Sequence, residues 1–186
     1  RNGLWYWRGN FYEWYADEWC LRDIQWMESA LWISLENLTY QTTSNGVVTQ
    51  QRYGPNITKV QGVLRALQAI QTMPHEQVPV WLGGEDAPSC RHSISFKDVV
   101  VDCSTKKVLK RTEAWFDPHV LPVDYNPEAQ SPLWDRCLEE WSGGDKAWIG
   151  LLQRMFGYCL MPHREYAKWF LLYGKIRGGK GTIMGV

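Results

Sequence analysis

Apolar side chains recur along this chain with two periods, and the changes of period mark its elements. Leu4 to Trp7 and Phe11 to Tyr15 flank Arg8-Gly9-Asn10, which predicts a β-hairpin with glycine and asparagine in the turn. Aromatics crowd this opening: Trp5, Tyr6, Trp7, Phe11, Tyr12, Trp14, Tyr15 and Trp19. At that density they either pack across the hairpin to cover a small sheet or stack on nucleic-acid bases. From Leu21 to Tyr40 the apolar positions Ile24, Met27, Leu31, Leu35 and Leu38 recur at helical spacing. Ser44 to Gly54 is polar and reads as an exposed loop turning at Asn45-Gly46. A second helix is expected from Ile57 to Met73, on the stripe Val60, Val63, Leu64, Leu67 and Ile70, and is stopped by Pro74. Pro79 to Ser89, with Gly83-Gly84 and Pro88, reads as loop.

A second hairpin is expected from Ile94 to Val101 and Lys107 to Leu109, turning at Cys103-Ser104-Thr105-Lys106. Lys106, Lys107, Lys110 and Arg111 form a basic cluster at its tip, which either touches a phosphate backbone or is simply solvated. A proline-punctuated extended stretch runs from Asp117-Pro118 to Asn126-Pro127. Ser131-Pro132 opens a helix, with serine as cap and proline in the first turn, and Gly143-Gly144 ends it. Asp145 caps the next helix, which stops before Pro162. His163 to Tyr166 then connects to Trp169-Phe170-Leu171-Leu172, an apolar run expected to form a buried strand.

The residues after that run carry the chemistry. Tyr173-Gly174-Lys175-Ile176-Arg177-Gly178-Gly179-Lys180-Gly181-Thr182 has the layout of a phosphate-binding P-loop, G-x-x-x-x-G-K-[ST]. Gly174, Gly178 and Gly179 let backbone N–H groups turn toward phosphate oxygens, and the following helix adds its positive end. Lys180 is placed to reach the β- and γ-phosphates. The residue after the lysine is Gly181, and the hydroxyl comes one place later, at Thr182. The bland alternative is a flexible basic tail whose glycines mark only disorder.

Composition narrows the picture. In 186 residues, 45% hydrophobic and 22% charged, there is enough to bury a real core. Twenty basic and twenty acidic side chains cancel, so any nucleic-acid contact must use a local patch. No apolar run reaches the roughly 18 residues of a membrane span, and no signal-peptide pattern opens the chain. Cys20, Cys90, Cys103, Cys137 and Cys159 are odd in number and widely spaced, which favours reduced thiols in a cytoplasmic setting. Cys90, His92 and Cys103 supply at most three zinc ligands at a spacing that fits no common site. Both ends fall mid-pattern and there is no opening Met, so the chain reads as a piece of a larger protein.

The ordered set from Ile94 onward resembles a known family. Ile94-Ser95-Phe96-Lys97-Asp98-Val99-Val100-Val101-Asp102 leads the hairpin, Leu121-Pro122-Val123-Asp124-Tyr125-Asn126-Pro127-Glu128-Ala129 ends the extended stretch, and Pro132-Leu133-Trp134 opens a helix. Leu152-Gln153-Arg154-Met155-Phe156-Gly157-Tyr158-Cys159-Leu160 closes another helix just before the glycine loop. This order is similar to that of the phage, plasmid and poxvirus primase–helicases, in which a helicase-associated domain precedes a superfamily 3 AAA+ motor. The resemblance implies an α+β fold of aromatic-rich hairpins with helices packed on them, leading into the first strand and P-loop of an α/β AAA+ domain. It implies an accessory collar domain over 1–163 and the start of the ATPase over 164–186. It further implies ATP and Mg2+ as cofactors, and Lys180 as the catalytic phosphate lysine. Gly174, Gly178, Gly179, Gly181 and Thr182 would line the nucleotide, with Thr182 the hydroxyl at hand for magnesium. Partners would be single-stranded or forked DNA, further copies forming a ring, usually a hexamer, and an attached primase domain, in the host cytoplasm if the source is a phage. Two other readings stay open. One is a DNA-binding or ring-assembly module without turnover. The other is the front of an unrelated P-loop kinase or transferase, which a lid and a small-substrate pocket would favour.

Overall fold

A computed structural model describes residues 3–44, 46–75, 77–83, 89–162 and 167–185. Its first elements are β1 (Leu4–Trp7), β2 (Asn10–Tyr15), β3 (Glu18–Arg22), α1 (Ile24–Glu36), β4 (Thr39–Ser44), β5 (Val47–Arg52), α2 (Ile57–Gln71) and β6 (Val80–Trp81). After a short 3-10 turn at Cys90–His92 come β7 (Ser93–Ser95), β8 (Val99–Asp102), β9 (Lys107–Lys110) and β10 (Trp115–Phe116). The last elements are α3 (Pro132–Ser142), α4 (Lys146–Leu160) and α5 (Lys180–Met184). The protein is thus mixed α+β, with small antiparallel sheets and five helices among the described residues. It divides into two compact units, Arg1–Glu85 with Arg111–Pro118, and Asp86–Lys110 with His119–Val186. The boundary expected at 163/164 falls outside the described residues.

In the first unit, β1, β2 and β3 form an antiparallel meander with Trp5 opposite Tyr12, Tyr6 opposite Phe11 and Trp14 opposite Trp19. Arg8 and Gly9 make the first turn with φ of 46° and 85°, the left-handed backbone that a two-residue hairpin requires. Both faces of this sheet are apolar, and both are covered. Leu4, Tyr6 and Phe11 pack against Ile24, Met27 and Leu31 of α1 and Leu64 and Leu67 of α2. Trp5, Trp7, Tyr12, Trp14 and Trp19 pack on the other side with Phe116, Val80 and Leu82. Phe116 is fully buried, with Trp7, Tyr12 and Trp19 edge-on at 5.2–6.0 Å between ring centroids. Trp19 Nε1 donates to the Trp115 carbonyl at 2.7 Å, which satisfies a buried indole N–H. The aromatics of the opening hairpin therefore build a core, with Trp5 and Trp14 packed against it as partly buried side chains.

Several elements differ from the sequence reading. A third strand, β3, completes the first sheet, and β6 pairs with β10 at Trp81–Trp115 across a long separation in sequence. The polar stretch read as a loop is the hairpin β4–β5, exposed along almost its whole length. Gly46 turns it at φ 78°, while Asn45 lies outside the described residues. Helix α1 begins later than expected because Asp23 caps it, accepting from Trp26 N at 2.7 Å, and it ends at Glu36, before Leu38.

In the second unit, Ile94 to Val101 is two strands rather than one, and β7–β8–β9 is a three-stranded sheet around a fully buried Val100. The connection from β8 to β9 is organised by Asp102. Its carboxylate accepts from the backbone N–H and hydroxyl groups of Ser104 and Thr105, and these bonds hold its pKa down at about 2. Helices α3 and α4 form a hairpin turned by Gly143 at φ 62° and by Asp145, which accepts from Ala147 N and Trp148 N. Ser131 starts α3 through its backbone carbonyl, taken by Asp135 N, and its side chain makes no capping bond. Trp169 to Leu172 is not a strand, and Trp169 and Leu171 are 79% and 75% exposed. Among the described residues no strand runs beside it, and without a partner for its backbone groups an apolar run does not become a sheet. No helix of the described residues is long and apolar enough to cross a membrane.

Candidate nucleotide-binding site

The α3–α4 hairpin builds the floor of the site. Leu138 of α3, Leu152 of α4 and Ile183 of α5 are buried together, with Trp134, Trp141, Trp148, Phe156 and Leu172 packed around them. Burying Ile183 fixes α5 against the hairpin, and this places the glycine loop that precedes it. Within the loop, Gly178 N donates to the Lys175 carbonyl at 3.2 Å and closes a turn. Arg177 sits inside that turn at φ 62°, a left-handed conformation that costs a non-glycine residue about 1–2 kcal/mol. Gly179 follows at φ 77°.

A side chain is excluded at Gly179 and crowded at Gly178. A Cβ on Gly179 would lie 2.7 Å from Trp141 Cε2, inside the indole ring, and the backbone is left-handed there as well. A Cβ on Gly178 would stand 3.1 Å from the Lys175 carbonyl oxygen. Gly179 thus rests against Trp141, and the loop turns on itself at Lys175–Gly178.

Lys180 folds back across the loop. Its Nζ donates to the Gly174 carbonyl at 2.9 Å and to the Lys175 carbonyl at 2.6 Å. An ammonium has three donors, so those two bonds leave one for an anion. Gly174, Gly178 and Lys180 line one cavity of about 430 Å³, together with Trp141, Trp148 and Phe170. Gly181 and Thr182 do not line it and are exposed on α5. The ammonium of Lys180 is a charged donor of the kind that suits phosphate oxygens. For a divalent cation the loop offers the Thr182 hydroxyl, and no group of three potential ligand side chains stands among the described residues. Cys90, His92 and Cys103 form no such group either, and all five cysteines are free thiols.

The basic cluster assigned to the second hairpin is divided by the structure. Lys106, at φ 58°, and Lys107 are exposed at the tip. Lys110 is exposed at the far end of β9, opposite Val99, and strand alternation puts it on the face opposite to Lys107. Arg111 is not at the tip. It is buried in the first unit, 5.9 Å from the Trp14 ring centroid, where burial draws its pKa down and Glu18, Asp117 and Asp17 oppose that shift. Hydrophobicity would have to be read three-dimensionally to see this, because Arg111 directly follows the exposed Lys110 in sequence.

Sequence reasoning missed Trp141 as part of the site. Its helical spacing marks it as core, and only the fold shows that its ring is the surface on which Gly179 rests. Comparison with family models, curated proteins and solved structures finds no match.

Proposed function

We propose that Gly174 to Thr182 is a nucleotide-phosphate loop, and that the chain is the front part of an ATP-dependent DNA helicase of the primase–helicase kind. The observation that carries this reading is Lys180 lying back over the glycine loop, with its ammonium on the Gly174 and Lys175 carbonyls, next to Gly179, where a Cβ would clash with Trp141. That arrangement holds a positive charge beside backbone groups at the mouth of a cavity. Phosphoryl transfer asks little else of a loop than positioning and charge stabilisation. The left-handed Arg177 adds support, since strained backbone of this kind clusters at ligand clamps.

In this reading Lys180 grips the phosphates of ATP, and ring-forming copies in the parent protein act on single-stranded or forked DNA. The part over 1–163 serves as collar, loading and assembly surface, and the nucleotide loop belongs to the part from 164 onward. Lys106 and Lys107 are the charges placed to meet a DNA backbone. Titration calorimetry of the 186-residue chain with ATP should show binding that Lys180→Ala removes. In the full-length parent the same substitution should abolish ATPase and unwinding. ATP affinity unchanged by Lys180→Ala overturns the assignment.

A further inference from the structure

The cavity beside Lys180 is mostly apolar, and its walls come from α3, α4 and the segment before the loop: Trp141, Trp148, Leu151, Met155 and Phe170. Its two charged side chains, Lys175 and Lys180, both belong to the loop, and Lys180 is tied to loop carbonyls. A volume of about 430 Å³ falls within the range of small-molecule sites, about 300–1,000 Å³. An aromatic chamber with an ammonium at one end matches a ligand that is flat and weakly polar at one end and anionic at the other. A phosphate alone would leave the chamber unused, and an apolar ligand alone would leave the ammonium unused.

We infer that this cavity seats the nucleobase of the nucleotide whose phosphates Lys180 holds, with Trp148 and Trp141 as its aromatic walls. The inference rests on the phosphate-loop reading of Gly174 to Thr182. Trp141 has two duties, because its ring also supports Gly179. Trp148 lines the cavity without that contact, so it is the side chain on which base recognition can be tested alone.

The test compares ATP with inorganic tripolyphosphate, which carries the same anionic chain and no base. On the 186-residue chain, ATP should bind at least about tenfold more tightly than tripolyphosphate, the worth of one aromatic–base stack. Trp148→Leu keeps apolar bulk and should weaken ATP about tenfold while leaving tripolyphosphate unchanged; Trp148→Phe should restore most of the loss. Leu151→Gln provides a second variant at a position 61% exposed, where folding is safe, and should weaken ATP selectively by a smaller factor. Equal affinities for ATP and tripolyphosphate, or ATP binding insensitive to Trp148→Leu and Leu151→Gln, overturn the base site. If Lys180→Ala still abolishes tripolyphosphate binding in that case, the phosphate loop stands alone. Tripolyphosphate binding indifferent to Lys180→Ala defeats the phosphate loop itself, and the base site with it.

Discussion

Two stretches of this chain are rich in aromatic and aliphatic residues and have opposite fates. Leu4 to Trp19 is packed on both faces of a sheet, with Phe11 fully buried. Trp169 to Tyr173 lies along the surface, with Tyr173 97% exposed. Composition does not separate them; backbone pairing does. Each strand of the first stretch has a neighbour in register, and α1, α2 and β10 are there to cover the faces. The second stretch has no strand beside it among the described residues, and only Leu172 reaches a core. An apolar run is therefore a demand for cover, and the fold decides where that demand is met. Where it is unmet, beside the glycine loop, it leaves apolar walls that a ligand can use.

The largest test of this contrast is a pair of truncations. Phe116→Ala removes the ring at the centre of the first aromatic cluster and should cost about 3–5 kcal/mol in urea unfolding. Trp169→Ala removes a larger ring from the surface and should change stability by no more than about 0.5 kcal/mol. Comparable losses from the two would mean that the exposed stretch is packed after all.

A smaller effect is expected where the loop meets its floor. Gly179→Ala forces a methyl into the Trp141 ring and a side chain into a left-handed backbone, at a cost of about 1–2 kcal/mol for the backbone alone. ATP affinity should fall with it, because the turn that presents Lys180 must open. Gly157→Ala, on α4 outside the loop, meets open space and serves as the control; it should lower neither stability nor ATP affinity. Equal behaviour of the two alanines would remove Trp141 from the site.

How much of this was legible in the sequence follows the same division. Helices α1 to α4 are visible because their signals are local, an apolar stripe, Asp145 as cap and Gly143 as stop, whereas the caps at Asp23 and Asn56 emerge only in the structure. The glycine loop is visible for the same reason. The β6–β10 pair joins residues more than thirty apart, and no local pattern announces it. The β4–β5 hairpin is hidden because neither face is apolar, although Thr42, Thr43, Val47 and Val48 around Asn45-Gly46 carry a β-branched turn signal. The seat of Gly179 on Trp141, and the chamber beside it, depend on how α3, α4 and α5 pack.

The β8–β9 turn offers a pH-dependent version of the contrast, since polar bonds rather than aromatic packing close it. Asp102 has a folded-state pKa of about 2 against the ordinary 3.8, set first by the hydroxyl bonds from Ser104 and Thr105. A lowered folded pKa means that its contribution to stability is full above 3.8 and is lost as pH falls toward 2. Urea midpoints of the wild type and Asp102→Ala should differ at about pH 6 and converge at about pH 2. A gap that persists at low pH would show that the side chain acts through packing.

The smallest stability effect belongs to the hairpin tip, and there the readout is binding. Lys106 and Lys107 are exposed and make no packing contribution that alanine would forfeit, so the double substitution should leave the unfolding midpoint nearly unchanged. If the tip meets single-stranded DNA as proposed, the same substitution should flatten the salt dependence of binding by about 0.7 log units per lost phosphate contact. Lys110 stands on the other face of β9, so adding Lys110→Ala should flatten the slope no further. Fluorescence anisotropy with an oligonucleotide across a salt series measures all three slopes. A slope that drops only when Lys110 is removed would move the DNA contact to the opposite face of β9. An unchanged slope in every variant would take DNA off this hairpin and leave the tip as solvated charge.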